Sequence, residues 1–199
     1  MSEWPEQRAF FERAPWLVAP ELLGWRLIHD SVELVVVETE AYAASEDAAS
    51  HAFPGRTRRN ASMFGPCGHA YVYRSYGVHW CFNVVAHAPD EAGAVLIRAG
   101  EVVAGNELAQ ARRGAVRGLA NGPGKLGQAL GITDRHDGVD LAGGALRLVA
   151  PEGPTGRSAN GPRVGISKAI DLGWRFWLED SVHVSKGRPG PAGRRRRPG

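Results

Sequence analysis

Apolar and polar positions alternate in short runs along most of this chain, which predicts short strands bunched between short helical segments. Helices are expected over 7–13 and 18–23, each introduced by a proline, and strands over 25–29 and 33–41 that turn at Asp30-Ser31. Ser45 followed by Glu46 and Asp47 has the form of a helix start, which predicts a helix over 46–51. A basic loop over 53–60 leads to a hairpin with strands at 70–74 and 78–86. It turns at Ser75-Tyr76-Gly77, where glycine permits the backbone a tight turn needs. A further strand is expected over 94–102, helices over 104–112 and 122–130, and short strands over 145–149, 163–166 and 174–178. No internal repeat is visible. This order predicts an α+β fold: a single domain around a curved, mostly antiparallel β-sheet, with flanking helices and a protruding β-hairpin.

Residues 35–42 read V-V-V-E-T-E-A-Y. At a period of two, Glu38, Glu40 and Tyr42 share one face, and Val35, Val37, Thr39 and Ala41 the other. The valine face suits the core. That leaves two carboxylates beside an aromatic ring, residue types that hold a general base next to a flat substrate. A half-exposed strand with solvated acids has the same pattern, and periodicity does not choose between Glu38 and Glu40. The hairpin adds Tyr71 and Tyr73 on one strand face, Tyr76 in the turn and Trp80 beyond it. Core packing accounts for Tyr71 or Tyr73. A large ring at a tight turn is expected to be exposed, and beside Arg74 and Ser75 it could wedge between base pairs. Cys67, His69, His79 and Cys81 flank the hairpin as C-x-H and H-x-C, which is not a zinc-ligand spacing, so no metal is expected. Gly122-Pro123-Gly124-Lys125 is followed by Leu126 where a nucleotide-binding P-loop requires Ser or Thr. A glycine-rich turn with a lysine at a helix start suits one DNA phosphate instead.

Composition narrows the class further. With 199 residues, 43% hydrophobic and 23% charged, the chain has enough apolar mass for one core and too little length for two comfortable domains. No apolar run approaches the ~20 residues of a membrane span, and the N-terminus lacks a signal-peptide pattern. Two cysteines make no disulfide framework, so a reducing cytoplasm is the expected location. The formal charge of +3 is unevenly spread. Residues 1–50 carry three Lys/Arg against ten Asp/Glu, residues 51–125 carry nine against four, and residues 186–199 carry six against none. A basic, aromatic-bearing middle is a footprint for a polyanion. The Gly- and Pro-rich stretch over 186–199, with Arg194 to Arg197 in a row, reads as a disordered basic tail on a domain spanning 1–185.

Eight short blocks together resemble the alkyladenine (3-methyladenine) DNA glycosylase family. They are E-T-E-A-Y (38–42), E-D-A-A-S-H (46–51), R-R-N-A-S-M-F (58–64), Y-V-Y-R-S-Y-G (71–77), C-F-N-V (81–84), V-L-I-R-A (95–99), G-P-G-K-L (122–126) and R-V-G-I (163–166), in family order. The resemblance implies an N-glycosylase of base excision repair that acts on damaged double-stranded DNA and needs no cofactor or metal. A monofunctional reaction without a Schiff-base lysine is expected, and a monomer suffices for this work. It implies that Glu40 is the general base and that Arg98 and the Val164 carbonyl help to place its water. By the same resemblance Tyr42, His51 and Tyr73 wall the extruded base, Asn83 obstructs the exocyclic amine of normal guanine, and Tyr76 fills the gap left in the duplex. His51 is also a candidate hydrogen-bond donor to neutral lesions. Arg58, Arg59, Arg74, Gly124 and Lys125 are expected on the DNA backbone, and Glu38 is left as a structural neighbour. The chain departs from the pattern at Ala43-Ala44-Ser45, where Leu-Gly-Pro is usual, at Val78, where methionine is common, and in its arginine tail. A silent damaged-DNA-binding module is the alternative. A zinc-dependent deaminase is a weaker one, because its H-x-E and P-C-x-x-C motifs are missing.

Overall fold

The β-branched stretch around residue 36 forms β2 (Val32–Ala43), a 12-residue strand on which an eight-stranded antiparallel sheet is assembled in the computed structural model, which describes residues 4–187. One side of β2 pairs along its length with β5 (Gly93–Ala104). The other side is shared: β1 (Arg26–His29) takes its first residues and β8 (Arg175–Leu178) takes Glu38 to Glu40. Beyond β5 lie β4 (His79–Val85) and β3 (Ala70–Ser75). Beyond β1 lies β6 (Leu146–Val149), and β7 (Ser158–Gly161) pairs with β8. The result is a curled sheet in one α+β domain.

Among the described residues four α-helices flank it: α1 (Trp4–Phe11), α2 (Pro15–Glu21), α3 (Asn106–Arg113) and α4 (Pro123–Leu130). Proline opens α2 and α4, where its missing N–H costs nothing, and left-handed glycines close α3 and α4. Phe11, Val18, Leu22, Leu126 and Leu130 pack with Leu34, Val36, Phe82 and Ile97 of the sheet into the main core. A smaller cluster forms elsewhere, with Met63, Tyr71 and Ala94 packed against Tyr42 and Tyr73.

The strict alternation expected along β2 slips once. Leu34 and Val36, not Val35 and Val37, join the main core, yet further on it is Ala41 that does so. The register between β2 and β5 shifts on either side of Glu38, leaving Val37 and Arg98 without directly opposed partners. Such irregularities re-aim side chains. Here one turns Arg98 of β5 toward the acids of β2.

Two expected elements are absent. Residues 46–51 are turns, with Glu46 at φ 63°, and residues 163–166 form no strand. Both departures have one cause. Asp47 does not start a helix; its carboxylate takes two hydrogen bonds of 2.6 Å from Arg163 and also accepts the N–H groups of Ala43 and Ala49. Arg163 is drawn fully inside by this pair and donates as well to the Ala41 carbonyl. The strand β7 was not foreseen. The tail expected over 186–199 lies, from Arg188 onward, outside the described residues.

A buried ion pair that loses one partner leaves a charge uncompensated, at a cost of about 3–5 kcal/mol. Asp47→Ala is therefore expected to lower the unfolding free energy by that amount in urea titration. Asp47→Leu combined with Arg163→Met should recover most of it; a double variant no better than the single would refute this account of the loop. His87 yields a pH prediction. The thiol of Cys67 and the carbonyls of Ala88 and Gly65, the latter two 2.9 and 3.0 Å from its ring nitrogens, favour the protonated ring over the cost of burial. Its pKa rises from 6.5 to about 9. A raised pKa stabilises the fold fully below the unfolded value and loses that contribution as pH climbs through the folded one. Urea midpoints should decline between about pH 6.5 and 9, and His87→Gln should flatten that decline.

Candidate active site

Sheet register lines up the site. Tyr71 opposes Asn83, Asn83 opposes Leu96, Leu96 opposes Glu40, and Glu40 opposes Arg175, one row across β3, β4, β5, β2 and β8. Directly opposed residues of an antiparallel sheet share a face. The face carrying Glu40 thus also carries Asn83 and Tyr71, although they are far apart in sequence. Above this row lies a cavity of about 490 Å³, lined by Tyr42, His51, Tyr71, Tyr73, Tyr76, Cys81, Asn83, Arg98 and Val164 among others. That volume suits a small organic ligand.

Glu40 has no exposed surface and does not itself line this cavity, but three residues that do line it are hydrogen-bonded to its carboxylate. Its Oε1 accepts the Val164 N–H at 2.6 Å, and its Oε2 accepts Arg98 Nη1 at 3.2 Å and the Tyr42 hydroxyl at 2.8 Å. Glu40, Arg98 and Val164 are therefore brought together, with Val164 meeting the carboxylate through its amide N–H. Burial alone would lower the pKa of Arg98, but the adjacent Glu40 and Glu38 carboxylates more than offset this and raise it. Burial, reinforced by the charge of Glu40, pushes the Tyr42 hydroxyl well above its usual range, so it remains a donor.

The aromatic walls arise from three segments. Tyr71 and Tyr73 stack at 5.6 Å along β3, and both hydroxyls are raised by burial. His51 meets Tyr73 edge-on at 4.5 Å, and its Nδ1 lies 2.9 Å from the Tyr71 hydroxyl. Burial, and secondarily the charge of Arg59, lowers the pKa of His51, so the ring is neutral at pH 7. Its loop is held by Asn60, whose amide donates to the carbonyls of His51 and Gly55. Tyr42 lines the same cavity, backed by the Arg163 guanidinium 4.6 Å from its ring centroid. Asn83 is buried and donates to the Tyr71 carbonyl at 2.9 Å.

Tyr76 stands apart from any core, 91% exposed at the tip of the β3–β4 hairpin. Both Tyr76 and Gly77 have positive φ, and Val78 N–H closes the turn onto the Ser75 carbonyl at 3.0 Å. A non-glycine residue in that conformation is uncommon, so the ring is held outward at some conformational cost. Arg58 and Arg59 are exposed on the loop beside the cavity, and Arg59 reaches the Arg74 carbonyl. Arg74 lies over Trp80. Gly124 and Lys125 occupy the first turn of α4 behind Pro123, which lines the cavity; Lys125 is exposed and donates to Asn121. Cys67 and Cys81 do not converge, since Cys81 lines the cavity and Cys67 lies beside His87. Among the described residues no group of three or more His, Cys, Asp or Glu side chains is placed to hold a metal ion.

Sequence reasoning missed several supporting groups. Arg163 lies in the R-V-G-I block, where the expected role falls on its neighbour Val164. Arg175 and Ser185 carried no local signal; their partner is Glu38 of β2, and only the sheet order brings them to it.

Comparison with known proteins fits this arrangement. The model of the Methylpurine-DNA glycosylase (MPG) family matches residues 9–182. A protein of Granulibacter bethesdensis named as a 3-methyladenine DNA glycosylase is 51% identical over 185 residues, covering 90% of this chain and 86% of its own. Proteins of the same name from Frankia casuarinae and Chlorobaculum tepidum are 47% and 44% identical, covering 93% and 96% of this chain and 94% and 95% of theirs. With the family match spanning most of the sequence and relatives aligned along nearly their whole length, the chain belongs to the methylpurine-DNA glycosylase family and is a DNA glycosylase.

Proposed function

We propose that the protein excises alkylated purines of the 3-methyladenine class from double-stranded DNA by flipping the base and hydrolysing its N-glycosyl bond. The observation that carries this reading is the Glu40 carboxylate, held by Arg98, Val164 and Tyr42 beneath a cavity walled with aromatic rings. A base in the duplex is out of reach, so its nucleotide must rotate outward at a cost of a few kcal/mol, least where the base is damaged or poorly paired. Tyr76 offsets that cost by occupying the vacated stack, as exposed apolar wedges do.

Alkylation at a ring nitrogen makes the purine cationic and a better leaving group. Tyr42, Tyr73 and His51 then favour the bound cation, by about 0.5–2 kcal/mol for each aromatic contact. As the N-glycosyl bond breaks, its electron pair leaves with the base and C1′ gains oxocarbenium character. Water forms the new bond to C1′ and gives its proton to Glu40, whose charge also stabilises the sugar. Neutral Asn83 borders the cavity where a purine's exocyclic group would lie. His51, neutral at pH 7, can donate a hydrogen bond to an uncharged lesion but is a poor source of a full proton. Among the described residues no lysine lines the cavity, which favours a monofunctional reaction that leaves the backbone intact.

Arg58, Arg59, Arg74, Lys125 and the Gly124 amide would contact DNA phosphates around the cavity. Residues 1–185 then form the glycosylase domain, and the basic stretch over 186–199 adds salt-sensitive affinity without sequence preference. No helix among the described residues is long and apolar enough to cross a membrane. A monomer in the cytoplasm, associated with the nucleoid through DNA, suffices for this work. A binding module that recognises damage without cutting is the rival reading, and it gives no reason to hold a carboxylate beneath the base pocket.

Glu40→Gln keeps the size of the side chain and removes the base. It is expected to bind a duplex containing one methylated purine as the parent does, and to excise that purine about 10²- to 10⁴-fold more slowly. Excision at the parental rate would sink the assignment. Tyr76→Ala should weaken binding of the lesion duplex by about 1–3 kcal/mol, the worth of one base–aromatic stack. It should leave the single-turnover rate on an already unpaired lesion nearly unchanged; an equal loss on both substrates would rule out the wedge role.

A further inference from the structure

We infer that Glu38, together with the segment of residues 185–187, is a positioning clamp for Arg98, the one guanidinium hydrogen-bonded to Glu40 among the described residues. The inference rests on the reading of Glu40 as the catalytic base.

Glu38, like Glu40, has no exposed surface and does not itself line the cavity. The two differ in their partners, since Arg98, Val164 and Tyr42 around Glu40 all line it, whereas Arg175 and Ser185 around Glu38 do not. Four donors nevertheless converge on its carboxylate. Arg98 Nε at 3.0 Å, Arg175 Nε at 2.6 Å and the Ser185 hydroxyl at 3.0 Å reach Oε1, and the Ser185 N–H reaches Oε2 at 2.7 Å. Each nitrogen of Arg98 is thereby assigned. Nε is held by Glu38, Nη2 donates to the Ser185 hydroxyl at 3.3 Å, and Nη1 is left for Glu40. The roles at Ser185 are consistent, because its single proton goes to Glu38 and its oxygen accepts from Arg98. Arg175 ties down the same segment by donating to the Ser185 carbonyl.

Two residues on, the backbone runs so close to the site that a methyl group on Gly187 would lie 2.4 Å from a Val164 methyl carbon and 3.2 Å from Arg98 Nη2. The segment therefore leans on both groups that donate to Glu40 from outside β2. The charges match as well: two acids, Glu38 and Glu40, face two arginines, Arg98 and Arg175. Without the charge on Glu38, the guanidinium of Arg98 would have Glu40 as its only carboxylate partner. It would be free to turn and bring a second nitrogen onto Glu40. That turn would occupy the Oε1 lone pair not already used by Val164, where an attacking water must bind. Glu38 thus acts on the reaction through the orientation of Arg98.

The test is single-turnover excision from a duplex bearing one methylated purine, with lesion-duplex affinity measured separately. Glu38→Gln is expected to slow excision on the order of 10²-fold, the loss typical of a misplaced catalytic geometry, with affinity changed less than about threefold. Ser185→Ala, which keeps the backbone N–H to Glu38, should give a smaller loss in the same direction when assayed at a temperature where the variant is fully folded. If Glu38 acts through Arg98, then Glu38→Gln added to Arg98→Lys should slow the reaction little further. Fully multiplicative losses in that double variant would overturn the clamp. So would a Glu38→Gln protein whose folded fraction excises at the parental rate. Glu40→Gln is run alongside: if it stays active, the base reading itself fails, whereas multiplicative losses with Glu40→Gln inactive remove only the clamp.

Discussion

Two carboxylates, Glu38 and Glu40, lie side by side on the central strand with no surface open to water. Burying one unpaired carboxylate costs several kcal/mol, comparable to the whole net stability of a domain this size. The fold is tenable only because that charge is answered, and each answer comes from a different part of the chain. Arg98 comes from an irregularity in β5 and Arg175 from β8. The Val164 amide comes from the loop after β7, and the Ser185 amide and hydroxyl from the segment that follows β8. The sheet cannot close around β2 with any of these out of place without leaving charge exposed to a low-dielectric interior. The neutralising contacts of the site are therefore also the long-range contacts that join the sheet's halves.

The pair of Asp47 and Arg163 extends this coupling to the cavity walls. Arg163 reaches inward to Asp47 and to the back of the Tyr42 ring, while the next residue presents its N–H to Glu40. One dipeptide thus fixes the loop leading to His51, supports one aromatic wall and supplies a donor to the carboxylate. Asp47 in turn accepts the Ala43 N–H at the end of β2, so the strand carrying Glu40 and the loop carrying His51 are braced against the same side chain. Rigid support of this kind holds cavity walls a fixed distance apart, as a slot for any flat ring requires.

Much of the sheet was legible from local pattern. The hairpin at residues 70–85, the strand pair at residues 26–43 and the shared face of Glu38, Glu40 and Tyr42 all follow from alternation and turn chemistry. Three features were not. Ser45-Glu46-Asp47 satisfies the local rule for starting a helix, but a bidentate partner 116 residues away wins over a capping interaction of about 1 kcal/mol. Residues 163–166 look like a strand because Val164 and Ile166 alternate with neighbours, yet Arg163 faces the interior and Gly165 takes φ 74°. The slip in β2 leaves no mark in its own composition, since every residue from Val35 to Val37 is a valine and any of them suits a core. Choosing Glu40 over Glu38 needed the family resemblance. In the structure their partners differ: Glu40 is bonded by three residues that line the cavity, and Glu38 by Arg98, Arg175 and Ser185.

The concealment of Glu40 has a chemical consequence on the proposed reading. A carboxylate screened by bulk water would stabilise a nearby sugar cation weakly, whereas the same charge in a dry, preorganised setting acts at much lower effective dielectric. Such a group cannot also be open to solvent before substrate arrives. Arg98, Val164 and Tyr42 satisfy this by lying between Glu40 and the cavity while leaving Oε1 with only one donor among the described residues. Water needs to reach that one oxygen only when a flipped nucleotide has filled the cavity and excluded the rest. A fixed Arg98 matters most in that state, because a guanidinium free to turn would reach the vacant lone pair before the water does. The burial of the acids, the locking of the arginine and the single open acceptor position are in this sense one requirement met by one cluster of side chains.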